Sequence, residues 1–299
     1  MIKMNDIKKS IDGVEIIHNV SFQIRKGSIY GLLGSNGAGK TTLLKTLSGI
    51  YLQEEGSVEI EGKPVFENPT IKDKIFFIPD APTFFSQFNL DQMAQFYKNT
   101  YPGWNDDRYL KLVQEFQIDS KKRLHKFSKG VQRQSAFILA LSTMPEVLIL
   151  DEPMDGLDPV VRKKVKSLLI DDVAEREMTI LISSHNLREV EDICDHVGVL
   201  HGGKLLFEKE LDDLKTSIHK IQVAFKDHVP NELFEALDPL HRENRGSVVL
   251  AIVKGNEARI AEMVERYNPV IFDLLPLTLE EIFIYEMGDV GYVIKNIMD

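Results

Sequence analysis

The chain has 299 residues, 43% of them hydrophobic, and a net charge of −10. That length supports about two domains with a sizeable core, and the acidic balance argues against a broad electrostatic footprint for nucleic acid. No stretch approaches the roughly 18 apolar residues that span a bilayer, Met1-Ile2-Lys3-Met4-Asn5-Asp6 carries no signal-peptide core, and the single Cys194 excludes an internal disulfide framework, so a cytoplasmic protein is expected.

In chain order, Ile2 to Lys9, Glu15 to Ile17 and Val20 to Ile24 have strand composition, with a turn at Asp12-Gly13. Ser28 to Leu33 is an apolar run expected to be a buried strand, and Lys40 to Ser48 is expected to be a helix. Between them Gly34-Ser35-Asn36-Gly37-Ala38-Gly39-Lys40-Thr41 matches G-x-x-x-x-G-K-[ST] in full. The glycines let the backbone turn its N–H groups toward phosphate oxygens at a helix N-terminus. Lys40 is then expected to reach the β/γ-phosphates, Thr41 to offer its hydroxyl to Mg²⁺, and Thr42 to add a phosphate contact. A nucleoside triphosphate binder follows from this segment. Ser57 to Ile60 and Lys63 to Phe66 flank Glu61-Gly62 as a hairpin.

From about Pro79 to Pro145 the pattern takes a helical period: Leu90, Met93, Ala94 and Tyr97 share one face, and Leu110, Val113 and Phe116 another. Aromatic residues gather at its start, and Phe84, Phe85 and Phe88 are candidates either for core or for a groove that accepts a partner helix. The basic run Lys121 to Lys126 reads as a solvated face. Val147 to Leu150 then has the β-branched, leucine-rich character of a strand buried on both faces, ending in Asp151-Glu152-Pro153. Asp151, at the carboxyl end of that strand, is placed to orient Mg²⁺ or its water shell. Glu152, one residue on, is the candidate general base for an attacking water. Helix and strand alternate again from Pro159 to a hairpin at Gly202-Gly203, the grammar of a mostly parallel sheet. Cys194 and His196 lie close in sequence, but two ligands do not make a zinc site, and Val190, Ile193, Cys194 and Val197 read as packed apolar positions. Beyond about Leu214, strands at Lys220 to Phe225, Ser247 to Val253 and Val270 to Leu275 alternate with helices at Asn231 to Leu237, Glu257 to Tyr267 and Leu279 to Glu286, consistent with a small ferredoxin-like α+β domain.

The order of the P-loop, Phe127-Ser128-Lys129-Gly130-Val131, Leu150-Asp151-Glu152-Pro153, Asp155-Gly156-Leu157-Asp158 and Ser183-Ser184-His185 resembles the ATPase subunit of an ATP-binding cassette (ABC) transporter, over residues from about 3 to 212. The resemblance implies an α/β P-loop NTPase core with an antiparallel β layer and an inserted helical subdomain at about 79–145, forming a domain over 1–213, followed by the small α+β domain over 214–299. It implies Mg²⁺ as cofactor with ATP as substrate, metal contacts from Thr41, Asp80 and Asp151, and His185 as the residue that senses the γ-phosphate. It also implies a head-to-tail dimer, with itself or with a related ATPase subunit. There Ser128, Lys129, Gly130 and Asp158 would face the nucleotide held by the partner, and membrane permease subunits would anchor the pair to the inner face of the cell membrane. Nucleic acid is not among the expected partners. An export-type system is the nearer match.

This chain departs from the family pattern at three places. Ile11 stands where an aromatic residue usually stacks on adenine, Asp80 where glutamine is usual, and Lys129 and Val131 where glycine and glutamine are commoner. An aliphatic floor at Ile11 buries the base without a ring's preference for a π-face. Aspartate at position 80 is shorter than glutamine, is charged and lacks the amide donor. The changes at Ile11, Asp80 and Lys129 motivate a degenerate nucleotide sensor as one other reading; a soluble, non-transport ABC ATPase is a second, independent of them.

Overall fold

The computed structural model describes residues 1–226 and 228–289, so residues 290–299 of the expected second domain lie outside it. The described chain divides into two compact units, Met1–Glu208 and the part from Lys209 onward.

The first unit opens with β1 (Ile2–Ile11) and β2 (Val14–Ile24), which pair antiparallel around the Asp12-Gly13 turn, where φ is 50° and 78°. The two short strands expected around Asn19 are one. Asn19 takes a left-handed φ of 57°, and register shifts along the pair absorb the irregularity rather than breaking the strand. Next come β3 (Ile29–Leu33), α1 (Lys40–Leu47), β4 (Glu55–Ile60), β5 (Lys63–Pro64), the short α2 (Pro69–Lys72) and β6 (Ile75–Ile78). The helical insertion follows as α3 (Leu90–Thr100), α4 (Asp106–Phe116) and α5 (Lys129–Ser142). The unit then runs through β7 (Val147–Asp151), α6 (Pro159–Arg176), β8 (Thr179–Ser184), α7 (Leu187–Glu191), β9 (His196–His201) and β10 (Lys204–Glu210), whose last residues cross into the second unit.

Two sheets result. One is antiparallel in the order β2-β1-β4-β5, and the other runs β10-β9-β3-β8-β7-β6, with β3, β6, β7, β8 and β9 parallel. α1 is held between them. Leu43, Leu44 and Leu47 are fully buried in one core with Ile2, Met4, Ile7 and Phe22 of the antiparallel sheet and Leu32, Val147, Ile149 and Leu181 of the parallel one. This burial carries the P-loop into the interior and fixes its direction, because side chains at i, i+3 and i+4 of α1 all face the core.

The helices of the insertion start where their sequences cap them. Asn89 and Gln92 form a reciprocal capping box at α3, and Asn105 accepts from the Arg108 N–H at α4. The buried face of α4 keeps Phe116 of the expected stripe, with Val113 half-buried, but not Leu110. Leu110 is 62% exposed, and the inner stripe is Tyr109, Leu112 and Phe116. Tyr109 takes the inner position because its hydroxyl donates to Asp91 Oδ1 at 2.6 Å, so the ring is buried with its polar end satisfied.

The second unit contains α8 (Leu211–Ser217), β11 (Ile218–Ala224), α9 (Asn231–Leu237), β12 (His241–Arg245), β13 (Val248–Lys254), α10 (Glu257–Glu265), β14 (Ile271–Leu275) and α11 (Leu279–Asp289). Its antiparallel sheet has the order β12-β13-β11-β14, the interleaved βαββαβ topology of a ferredoxin-like fold. Ile221, Val223, Leu233, Phe234, Val249, Ala251, Val253, Ile260 and Val264 form its core. β12 escaped sequence reasoning. His-Arg-Glu-Asn-Arg is exposed throughout and carries no alternation to read, although its charges suit a sheet edge.

Candidate functional site

The P-loop follows β3 and runs into α1. At Gly34 a Cβ would lie 2.4 Å from the Leu200 carbonyl oxygen, and at Gly39, where φ is 105°, it would lie 2.8 Å from Ile17 Cδ1. Both positions therefore need glycine for close backbone approach. Asn36 and Gly37 form the exposed tip, and Ala38 is buried. Lys40 is the first residue of α1 and only 6% exposed. Its ammonium donates to the carbonyls of Gly34 at 2.6 Å and Ser35 at 3.2 Å, and pairs with Glu152 Oε1 at 3.0 Å. A buried lysine thus spans from the loop to the acid after β7.

β7 and β8 are parallel neighbours with Asp151 opposite Ser183, which sets the rest of the site. Asp151 Oδ2 accepts from Thr41 Oγ1 at 2.7 Å, and its Oδ1 accepts from Ser183 Oγ at 2.7 Å. The same Ser183 hydroxyl accepts the Glu152 N–H at 2.9 Å. Glu152 Oε2 receives the backbone N–H of His185 at 3.3 Å and lies 3.0 Å from His185 Nδ1. The ligand atoms of Glu152, Asp155 and His185 all fall within 4.8 Å of one another. Thr41, Asp151, Ser183, Glu152 and His185 are therefore joined by hydrogen bonds, Lys40 adds an ion pair to Glu152, and Ser183, given no role by the sequence, sits at the centre of the constellation. Thr42 is half-buried, one residue along α1, and its carbonyl accepts from Thr46 Oγ1 at 2.8 Å.

Arg133 was also missed. It is 8% exposed on α5 and donates to the backbone carbonyls of both Glu152 and Asp80, and to Asp80 Oδ1 at 3.0 Å. The Asp80 carboxylate is thus engaged by an arginine. A buried arginine requires an anion, and the acid at position 80 in place of an amide was the signal that could have found it.

Ser128, Lys129, Asp158 and Ile11 stand outside this constellation. Ser128 caps α5 by accepting the Val131 N–H at 3.4 Å, and both Ser128 and Lys129 are exposed. Gly130 sits so close to the next loop that a Cβ would lie 2.9 Å from the Gly156 oxygen. Asp158 caps α6, accepting the N–H groups of Val160 and Val161 at 3.0 Å each. Ile11 is half-buried at the end of β1.

Four residues beyond His185, Glu189 is buried on α7. Burial pushes its carboxyl above the ordinary 4.5, while the Ser184 hydroxyl at 3.1 Å and Arg162 at 3.5 Å pull it back.

A glycine-rich loop on a helix N-terminus, a lysine over it, and an Asp-Glu pair at the end of the adjoining strand define a P-loop nucleotide hydrolase. The family model for ABC transporter matches residues 17–155. The chain is 32% identical to the ABC transporter ATP-binding protein YtrB of Bacillus subtilis over 288 residues, 96% of this chain and 98% of that one. It is 37% identical to the bacitracin transport ATP-binding protein BcrA of Bacillus licheniformis, over 72% of this chain and 71% of the relative. A solved ATP-binding subunit of an ABC transporter superposes with a TM-score of 0.66 at 26% identity, covering 72% of this chain and 92% of that one. The chain belongs to the ABC transporter ATP-binding proteins, as the subunit that binds and hydrolyses ATP. Among the described residues no helix is long and apolar enough to cross a membrane.

Proposed function

We propose that this subunit closes head to tail with a second ATPase subunit over two ATP molecules, each with Mg²⁺, and drives a separate membrane permease from the cytoplasmic face. The observation that carries the reading is the placement of Glu152, held between Lys40 and His185 with both oxygens occupied. Lys40 would exchange its carbonyl contacts for the β/γ-phosphate oxygens, while the P-loop N–H groups line the phosphates. Glu152 would take the proton of the attacking water. His185, with its Nδ1–H on Glu152, would keep that carboxylate oriented and leave Nε2 for the γ-phosphate.

Thr41 Oγ1 and Asp151 Oδ2, both hard oxygen donors on adjoining elements, fit Mg²⁺. Asp80, whose Oδ1 is held by Arg133, could join them through its other carboxylate oxygen. When bound, the ion would neutralise charge on the phosphates. Ser128, Lys129, Gly130 and Asp158, exposed or at helix N-termini, would serve the nucleotide of the partner subunit. Phe85 and Phe96, both exposed and 5.2 Å apart between ring centroids, suit a permease contact. The likeness to BcrA, named for bacitracin transport, favours an export-type system.

The test is Glu152→Gln. It should retain ATP binding and lose turnover by roughly 10²–10⁴-fold, the weight of a general base. An unchanged rate would remove Glu152 from that role.

A further inference from the structure

Glu152 is held by its backbone as firmly as by its side chain. Its φ of 45° lies in the left-handed region. A residue with a Cβ occupies that region only where its surroundings over-determine it. Here the Glu152 N–H is fixed by Ser183 Oγ at 2.9 Å and the Glu152 carbonyl by Arg133 Nη1. The other amino group of the same guanidinium, Nη2, is committed to the Asp80 carbonyl and carboxylate. A guanidinium is a planar, rigid fork, so its two sets of acceptors cannot move independently without breaking a charge-assisted bond. Arg133 itself is buried one helical turn beyond Gly130, where α5 gives it little freedom.

We propose that Arg133 is a positioning residue for hydrolysis. It sets the peptide that aims the Glu152 carboxylate, and Asp80 is the handle through which displacement of the loop after β6 reaches that carboxylate. This rests on Glu152 being the base. The inference gives the aspartate at position 80 a physical role: an anion, unlike an amide, compensates the buried guanidinium.

The experiment measures steady-state ATP hydrolysis and Mg·ATP binding in the full chain for Arg133→Lys, Asp80→Asn and the double variant. Lysine keeps the charge, which favours folding, but its single ammonium lacks the rigid two-pronged spacing that fixes the Glu152 and Asp80 carbonyls relative to each other. Arg133→Lys should lower kcat by roughly 10- to 100-fold, the scale of a misplacement of about 1 Å, with KM and the ATP dissociation constant little changed. Asp80→Asn should lower kcat by less, and the double variant should be no worse than Arg133→Lys alone, because both act through one fork. Multiplicative losses in the double variant, a change confined to KM, or wild-type kcat in Arg133→Lys would overturn the proposal. Should Arg133→Lys fail to fold, Asp80→Asn decides by itself: lower kcat at unchanged KM supports the handle, and unchanged kcat rejects it. Glu152→Gln separates the layers. If it abolishes turnover while Arg133→Lys does not, only the positioning role falls; if it leaves turnover intact, the base assignment falls first.

Discussion

At the carboxyl ends of β7 and β8, Lys40, Asp151 and Ser183 are buried, and every working group is already aimed by another protein group. At the N-termini of α5 and α6, Ser128, Lys129 and Asp158 are exposed, and the two caps spend their side chains on their own helices. The first region is organised for chemistry within one chain. The second is a pair of exposed helix N-termini, whose dipoles favour an anion delivered from elsewhere although Ser128 and Asp158 already accept the N–H groups of Val131, Val160 and Val161. A site built this way is complete only when the exposed half of one subunit meets the buried half of another, which is the physical content of the proposed dimer.

The largest expected effect is from Glu152→Gln, which should cut turnover by roughly 10²–10⁴-fold in a phosphate-release assay while equilibrium dialysis shows ATP still bound. Gly130→Leu should come next. It places a side chain against the Gly156 carbonyl, where even a Cβ would sit at 2.9 Å, so turnover should fall by roughly 10-fold or more while a monomer still binds ATP. Loss of ATP binding by that variant would mean that the two halves are not separable. Ile11→Tyr sharpens the buried side. If Ile11 is the floor under adenine, a ring there should tighten ATP by about 0.5–1.5 kcal/mol in a calorimetric titration, and no change would move the base elsewhere.

The smallest effect concerns Glu189. Its folded pKa lies above the ordinary 4.5, chiefly because of burial, so the folded state prefers the protonated carboxyl. That contribution is present below 4.5 and is lost as pH rises through the raised value. The stability of wild type relative to Glu189→Gln should therefore decline from about pH 4 toward neutrality in denaturant titrations. A difference that grew with pH would show that Arg162 and Ser184 outweigh burial.

The sequence made the P-loop, Asp151 and Glu152 legible because their chemistry is local: a helix start, a strand end and the residue types between them. Three of the four strands of the second unit's sheet were also legible, since β11, β13 and β14 place core residues two apart: Ile221 and Val223, Val249, Ala251 and Val253, and Phe272 and Leu274. Ser183 and Arg133 were not, because their roles depend on which strands adjoin and on where a turn of α5 meets two loops distant in sequence. The α4 face was misread for a similar reason. Leu110 is more apolar than Tyr109, yet Asp91 on another helix gives the tyrosine hydroxyl a partner and lets the ring go inside.

The most direct measurement is the solution mass of Glu152→Gln by light scattering, with and without Mg·ATP. The expected result is a monomer that becomes a dimer when nucleotide is added and hydrolysis is blocked. A monomeric mass with ATP demonstrably bound would contradict a composite site formed by two copies of this chain.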